Sequence, residues 1–321
     1  MKAVRIHQVG PPDVLRYEDV PSPLAAEDAA IVRLTAIGVN FIDVYYRSGV
    51  YPLSLPATLG TEGAGEVTAV GERVNLVKVG DRVAYSNAMG SYAEYHAVPA
   101  WKLVKIPEGL DERMASAVLL QGMTAHYLSH DTFPLKKGQR ALIHAGAGGV
   151  GALLIQMASQ IGVEVVATAS TQAKAALARE AGAGEVILYT QNDFEEEVKR
   201  ITNGVGVDVV YDSVGKATFE KSMRCLTPRG MLVQFGQSSG VVAPVSTMEL
   251  ARGSFFLTRP MLRDYTATRE EFVRRATEVF EMVRSGRLEV RVMKDIPLSQ
   301  AAEAHRLLEA RQTTGKLLLI P

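Results

Sequence analysis

Arg140-Ala141-Leu142-Ile143-His144-Ala145 runs directly into Gly146-Ala147-Gly148-Gly149-Val150-Gly151 and then Ala152-Leu153-Leu154-Ile155-Gln156-Met157. A short apolar strand, a G-x-G-x-x-G turn and a helix-forming run in that order mark a dinucleotide site. The glycines permit a tight turn and let the backbone approach a pyrophosphate. The helix that follows offers its first N–H groups to the anion.

Outward from this turn, apolar β-branched runs alternate with helical stretches. Strands are expected at 140–145, 164–169, 185–189, 207–212, 231–235 and 255–258, with helices near 149–161, 172–181, 194–201 and 217–226. Six strands with helical crossovers predict an α/β fold with a doubly wound parallel sheet. Upstream, residues 1–107 read as short β-like runs broken by Gly and Pro: 3–6, 31–36, 65–70, 82–85 and 92–98. Downstream, two helices at 269–285 and 299–309 and a strand at 316–320 break the alternation and are expected to return to the first domain. The expected division is 1–122, 123–262 and 263–321.

The second strand tells which dinucleotide is expected. NAD sites place an Asp or Glu about 20 residues past the glycines, to hold the ribose hydroxyls. Here the strand ends Ala167-Thr168-Ala169 and continues Ser170-Thr171-Gln172-Ala173-Lys174, which supplies hydroxyls and a cation. Ser170 and Lys174 are therefore read as holding a 2′-phosphate, which favours NADPH. A solvated lysine on a first helical turn is the competing reading of Lys174. Tyr189, at the end of the third strand, is placed to reach the phosphate or the adenine.

Composition excludes several classes. Lys plus Arg is 35 and Asp plus Glu is 35, so the chain has no net field to draw in nucleic acid or an anionic membrane. The one cysteine, Cys225, forms no internal disulfide and builds no cysteine-rich metal site, in keeping with a reducing, cytoplasmic setting. It reads as a small core hydrophobe. No signal peptide and no apolar run of membrane-spanning length is seen.

The segments Asn40-Phe41-Ile42-Asp43, Arg47-Ser48-Gly49-Val50-Tyr51-Pro52, Leu59-Gly60-Thr61-Glu62, Gly80-Asp81-Arg82-Val83, Tyr211-Asp212-Ser213-Val214-Gly215 and Leu257-Thr258-Arg259-Pro260 carry a resemblance. Together with the glycine turn they resemble the zinc-independent NADPH:quinone oxidoreductases related to zeta-crystallin, within the medium-chain dehydrogenase/reductase superfamily. The resemblance covers essentially the whole chain. It implies a GroES-like β-rich catalytic domain beside a Rossmann domain, and NADPH-dependent reduction of small quinones. Zinc alcohol dehydrogenases of the superfamily carry a Cys in the first segment and Gly-His-Glu in the third. This chain has Val39-Asn40 and Thr61, so no catalytic zinc is expected. The pair His126 and His130 shares a helix face without further ligands.

The same resemblance implies that Asn40, Asp43, Tyr45 and Tyr51 line the nicotinamide and acceptor site, with Tyr45 orienting the acceptor or supplying a proton and Tyr46 as second choice. The bland reading of these tyrosines is half-buried packing. Cofactor contacts are expected from Asn40, Tyr45, Thr124, Gly146, Gly148, Gly149, Val150, Gly151, Ser170, Lys174 and Tyr189. Further contacts are expected from Ser213, Phe235, Gly236, Ser238, Phe256 and Thr258. Lys316 and Arg259 carry both a ligand and a structural reading, and Asp212 reads as a cap. The sixth strand, near Ser254–Leu257, would be an unprotected edge, so a homodimer is expected there. The rival readings are a 2-alkenal or enone C=C reductase and an NADPH-binding RNA-binding or crystallin-like protein. Nucleic acid is not the expected partner.

Overall fold

The strands of the first domain form where short apolar runs can bury one face. The structure, a computed structural model, describes residues 1–321. It begins with β1 (Lys2–Ile6), β2 (Arg16–Asp19), β3 (Ala29–Val39) and the helix α1 (Phe41–Arg47). Then come β4 (Ala57–Thr58), β5 (Glu62–Val70), β6 (Arg82–Ser86), β7 (Tyr95–Pro99), β8 (Val104–Lys105) and α2 (Glu112–Tyr127). The eleven residues of β3 are the spine: β5 and β7 both pair with it antiparallel.

A π-helical turn, Leu128–Thr132, follows α2, and a six-stranded sheet comes next. Its elements are β9 (Arg140–Ile143), α3 (Gly149–Ile161), β10 (Glu164–Ala169), α4 (Gln172–Glu180), β11 (Glu185–Leu188), α5 (Phe194–Ile201), β12 (Val207–Asp212), α6 (Phe219–Arg224), β13 (Leu226–Gln234), α7 (Thr247–Ala251) and β14 (Phe256–Thr258). Every pairing is parallel, and the spatial order β11-β10-β9-β12-β13-β14 is that of a doubly wound nucleotide-binding sheet. Val165–Ala169 is buried at every position, as a strand covered on both faces must be. On one face Phe194 and Val198 of α5 and Phe219 and Met223 of α6 pack with Leu142, Val166, Ile187 and Val210.

The chain ends with α8 (Arg269–Arg284), β15 (Val292–Pro297), α9 (Ala301–Glu309) and β16 (Lys316–Ile320). Strand β16 lies antiparallel to β3, with Leu317 opposite Val39, and completes a seven-stranded sheet. Two units result: Met1–Met123 with Thr266–Pro321, and Thr124–Tyr265. No helix is long and apolar enough to cross a membrane.

Strand β15 was not expected from the sequence, and two expected elements have other bounds. The helix expected at 217–226 stops at Arg224, and the following strand starts at Leu226 rather than Met231. Pro228 cannot continue a helix, and Leu226 finds a partner in Val207 across a bulge, so sheet pairing wins over helical propensity. The strand expected at 92–98 runs instead over Tyr95–Pro99. Tyr92 is held outside it, its N–H donating to Leu59 O at 2.8 Å and its hydroxyl engaged elsewhere.

Close approach of β3 and β5 depends on Gly65. A Cβ there would lie 1.9 Å from Arg33 O, beside the irregularity between Leu34 and Ala36. Gly65→Ala is expected to destabilise the protein by about 2–3 kcal/mol, seen as a lower denaturant midpoint at unchanged slope.

Candidate active site

The glycine turn leaves β9 through His144 and Ala145, the latter in the left-handed region at φ 52°. Gly146 N–H donates to Thr168 O at 2.9 Å and Gly148 N–H to Ala145 O at 2.8 Å, closing the turn against β10. A Cβ on Gly151 would sit 2.3 Å from Ala145 O, so only glycine lets α3 start this close to the strand. A Cβ on Gly148 would meet only Ala145, its O at 3.1 Å and its Cβ at 3.9 Å. Helix α3 starts at Gly149 with no side chain capping it. The N–H groups of Gly149, Val150 and Gly151 thus form a cradle of the shape and sign a pyrophosphate needs.

Beneath the turn lies a brace that the sequence reading missed. His144 is buried, with Nδ1 3.1 Å from Thr168 Oγ1 and Nε2 2.9 Å from Ser222 Oγ. Burial pushes its pKa down, so the ring is neutral and serves as a crosspiece. Thr168 Oγ1 also accepts the Ala145 N–H at 3.3 Å, which fixes the residue in the left-handed conformation. A histidine inside an otherwise apolar strand was the available signal.

Most of the remaining candidates of this unit gather at the C-terminal ends of its strands. Ser170 and Lys174 follow β10, where Thr171 caps α4 by accepting the Lys174 N–H at 3.3 Å. No carboxylate occurs between Ala169 and Lys174. Tyr189 follows β11 and is 39% exposed. Ser213 follows β12, and its carbonyl accepts the Ser238 N–H at 3.2 Å, tying together the loops after β12 and β13. Phe235 and Gly236 donate their N–H groups to Asp212 O. Asp212 itself caps the turn before α6, accepting from Val214 N, Gly215 N and Thr218 Oγ1. Thr258 ends β14, whereas Phe256 starts it and is 56% exposed. Thr124, in α2, is buried. Cys225 is buried at the end of α6, and burial pushes its thiol up to about 12, which removes it as a nucleophile. The His126 and His130 rings stack 4.3 Å apart rather than converging on a point.

In the other unit, Asn40 and Asp43 open α1 as a capping box, with Asn40 N–H donating to Asp43 Oδ2 at 2.9 Å. Asn40 Oδ1 accepts from Lys316 Nζ at 2.8 Å and Gln121 Nε2 at 3.3 Å. Its Nδ2 donates to Glu62 Oε2 at 2.8 Å and Gly38 O at 3.2 Å. All four hydrogen-bonding positions of that amide are taken by protein. Lys316 and Glu62, both fully buried, pair at 2.6 Å, and Glu62 Oε1 accepts the Leu120 N–H at 2.6 Å. Asn40, Asp43 and Lys316 are thus brought together, but as an internal network. Glu62 and Gln121 were not among the site residues expected from the sequence.

Tyr45 and Tyr51 belong to a half-buried aromatic cluster. Their rings lie 5.3 Å apart edge to face, with Phe41 5.4 Å from Tyr45 and Tyr46 5.6 Å from Tyr51. Tyr51 N–H donates to Tyr45 O at 3.1 Å, closing the loop after α1 against it. These hydroxyl-bearing rings, unlike Asn40 and Asp43, reach the surface of the unit. No three His, Cys, Asp or Glu side chains converge. Glu62, whose segment carries a zinc ligand in the alcohol dehydrogenases, is committed to Lys316.

Two family patterns match parts of the chain. The pattern described as an alcohol dehydrogenase GroES-like domain matches residues 26–108, and that described as a zinc-binding dehydrogenase matches 181–319. A quinone oxidoreductase of Pseudomonas aeruginosa is 44% identical over 100% of this chain and 99% of its own. A 2-haloacrylate reductase of a Burkholderia species is 42% identical over 99% of this chain and 98% of its own. Among solved structures, the Escherichia coli quinone oxidoreductase complexed with NADPH superposes with a TM-score of 0.98 at 43% identity, covering 100% of both chains.

Lys316→Met leaves the Glu62 carboxylate buried without its cation and is expected to cost about 3–5 kcal/mol of stability. Denaturant unfolding checks this, and Lys316→Met with Glu62→Gln should recover most of the loss.

Proposed function

Because the chain belongs to the quinone oxidoreductase family of the medium-chain dehydrogenases/reductases, we propose that it reduces small quinones with NADPH. The observation that carries this reading is the uncapped N-terminus of α3 behind the glycine turn, followed by a second strand whose end offers Ser170 and Lys174 and no carboxylate. When bound, NADPH supplies the hydride, and an electron-poor ring accepts it without a Lewis acid because the product is an aromatic hydroquinone anion.

The chain's own residues then have distinct tasks. Gly149, Val150 and Gly151 hold the pyrophosphate through backbone N–H groups, and Gly146 and Gly148, whose own N–H groups close the turn, let the backbone approach it. Lys174 and Ser170 recognise the 2′-phosphate, and Tyr189 flanks the adenine. Ser213, Phe235, Gly236, Ser238, Phe256, Thr258 and Thr124 are the further candidates for contacts along the dinucleotide. Tyr45, supported by Tyr51, orients the acceptor or gives it a proton. Asn40, Asp43 and Lys316 act by position, since their polar atoms are bound to one another and to neighbouring protein groups.

A second reading, reduction of an activated C=C bond, is favoured by the 2-haloacrylate reductase at nearly the same identity. A homodimer through β14 is part of the proposal, supported by the exposure of Phe256 on a strand at the sheet edge. A cytoplasmic location is supported by the single buried thiol.

The deciding experiment follows NADPH oxidation with p-benzoquinone or 2-chloroacrylate as acceptor, NADH in parallel. Rapid quinone turnover that prefers NADPH is expected. Turnover of the acrylate alone would overturn the quinone reading in favour of the second. Lys174→Ala should raise KM for NADPH about tenfold, the worth of one charge-assisted hydrogen bond, and leave that for NADH unchanged. Tyr45→Phe should lower kcat with the quinone by a modest factor, and an unchanged kcat would remove Tyr45 from the mechanism. Sedimentation at micromolar concentration should give a dimer, and Phe256→Asp a monomer.

A further inference from the structure

Asp43 stands at the end of a buried chain of polar groups whose direction is fixed. The chain starts at Arg47, itself 1% exposed, whose Nη1 and Nη2 bond Glu309 at 2.9 and 2.6 Å and whose Nε donates to Gly10 O. Arg47 Nη1 also lies 3.2 Å from His305 Nδ1. A guanidinium only donates, so Nδ1 must present its lone pair. Burial, with the Arg47 charge, pushes His305 down to about 3, so the ring is neutral and its one proton sits on Nε2. That N–H points at the Tyr92 oxygen, 3.0 Å away. The phenol, kept protonated by its burial, is left to donate to Asp43 Oδ2 at 3.1 Å.

We propose that Arg47, His305 and Tyr92 are positioning residues that set the charge state of Asp43 and thereby hold α1, which bears Tyr45, in its working arrangement. The proposal rests on the functional reading above, and concerns residues that touch neither cofactor nor acceptor in it. Every hydrogen in the chain is directed from Arg47 toward Asp43. Because Arg47 releases no proton, the chain is a fixed polariser and not a conduit to solvent. The opposite histidine tautomer would take the phenol's proton for itself, and Arg47 forbids it.

The groups that face Asp43 all bear on its charge. Burial pushes the carboxyl up to about 7, and the Glu62 charge adds to this. The Asn40 N–H, the Tyr92 hydroxyl and the Lys316 charge pull it back. Thr61 Oγ1 donates to Asp43 Oδ1 at 3.3 Å. The carboxyl is therefore balanced near neutrality, where one donor decides its state. Ionised, it accepts the Asn40 N–H and completes the capping box. Protonated, it is a weaker acceptor, and the start of α1 loosens.

The test is a carboxyl 13C titration of the cofactor-free, full-length protein labelled at aspartate, with the Asp43 signal assigned by its loss in Asp43→Asn. A midpoint near 7 is expected. Tyr92→Phe should raise it by about one unit, the effect of one charge-assisted hydrogen bond. His305→Leu should raise it by about half a unit. His305→Gln, whose carbonyl faces Arg47 and whose amide donates to Tyr92, should restore it. The acid limb of kcat/KM should move upward in step, since activity needs the ionised form and a higher pKa loses it sooner as pH falls. A midpoint near 4, or one unmoved by both Tyr92→Phe and His305→Leu in folded protein, overturns the proposal. If Tyr92→Phe does not fold, the His305→Leu and His305→Gln pair decides alone. A titration that moves as expected in a protein without quinone turnover upholds the chain and removes the functional reading.

Discussion

Lys316 and Glu62 are the charges the first unit is built around. An ion pair wholly removed from water is tolerable only when each partner's remaining hydrogen bonds are also met. Here Glu62 takes the Lys316 ammonium, the Asn40 amide and the Leu120 N–H, and Lys316 takes Glu62 and Asn40 Oδ1. Satisfying that pair fixes the last strand beside β3, the start of α1 and the course of α2 at once. The arrangement explains why the chain returns at its end to the domain in which it began. Without β16, the cation at Lys316 would be missing from the centre of the sheet.

The two units were legible in the sequence to different degrees, for a physical reason. In the nucleotide-binding unit the determinants are local. The strand, turn and helix from Arg140 to Met157 lie within a few residues of one another, and each later βα step repeats the pattern. The network of the other unit is assembled from afar. Arg47 and His305 are 258 residues apart, and Asn40 and Lys316 are 276 apart. Each reads alone as an ordinary surface residue, since Arg, Lys and Glu are seldom fully buried unless paired. Segment resemblance pointed to Asn40, Asp43 and Lys316, but gave no sign that they would bond to one another.

Local propensity also failed where a tertiary partner outbid it. Tyr92 has the alternating neighbourhood of a strand residue, yet its hydroxyl is drawn to Asp43 and His305 and its backbone to Leu59. His144 looks like an interruption in an apolar strand until Thr168 and Ser222 are seen on either side of its ring. In both cases the buried polar group supports a segment that the proposed function uses, α1 in one unit and the glycine turn in the other. A neutral histidine suits this task because its two nitrogens offer one donor and one acceptor in fixed opposition.

Discrimination among acceptors follows from what is already committed. Hydride acceptors as different as a quinone and an activated alkene share electron deficiency and differ in shape and in where the developing negative charge resides. A site that polarised one carbonyl through Asn40 or Lys316 would select sharply by that charge. Those groups, however, are bound to protein on the side chain atoms that would do it. In the proposed function, selection then falls to the cluster of Phe41, Tyr45, Tyr46 and Tyr51, whose rings meet at 5.3 to 5.6 Å in tilted and edge-to-face contacts. Aromatic faces recognise flat, electron-poor rings through dispersion and quadrupole, with little demand on hydrogen-bond direction. On that proposal, such a surface would favour a planar quinone over a small acrylate by contact area, without strict specificity for any one quinone.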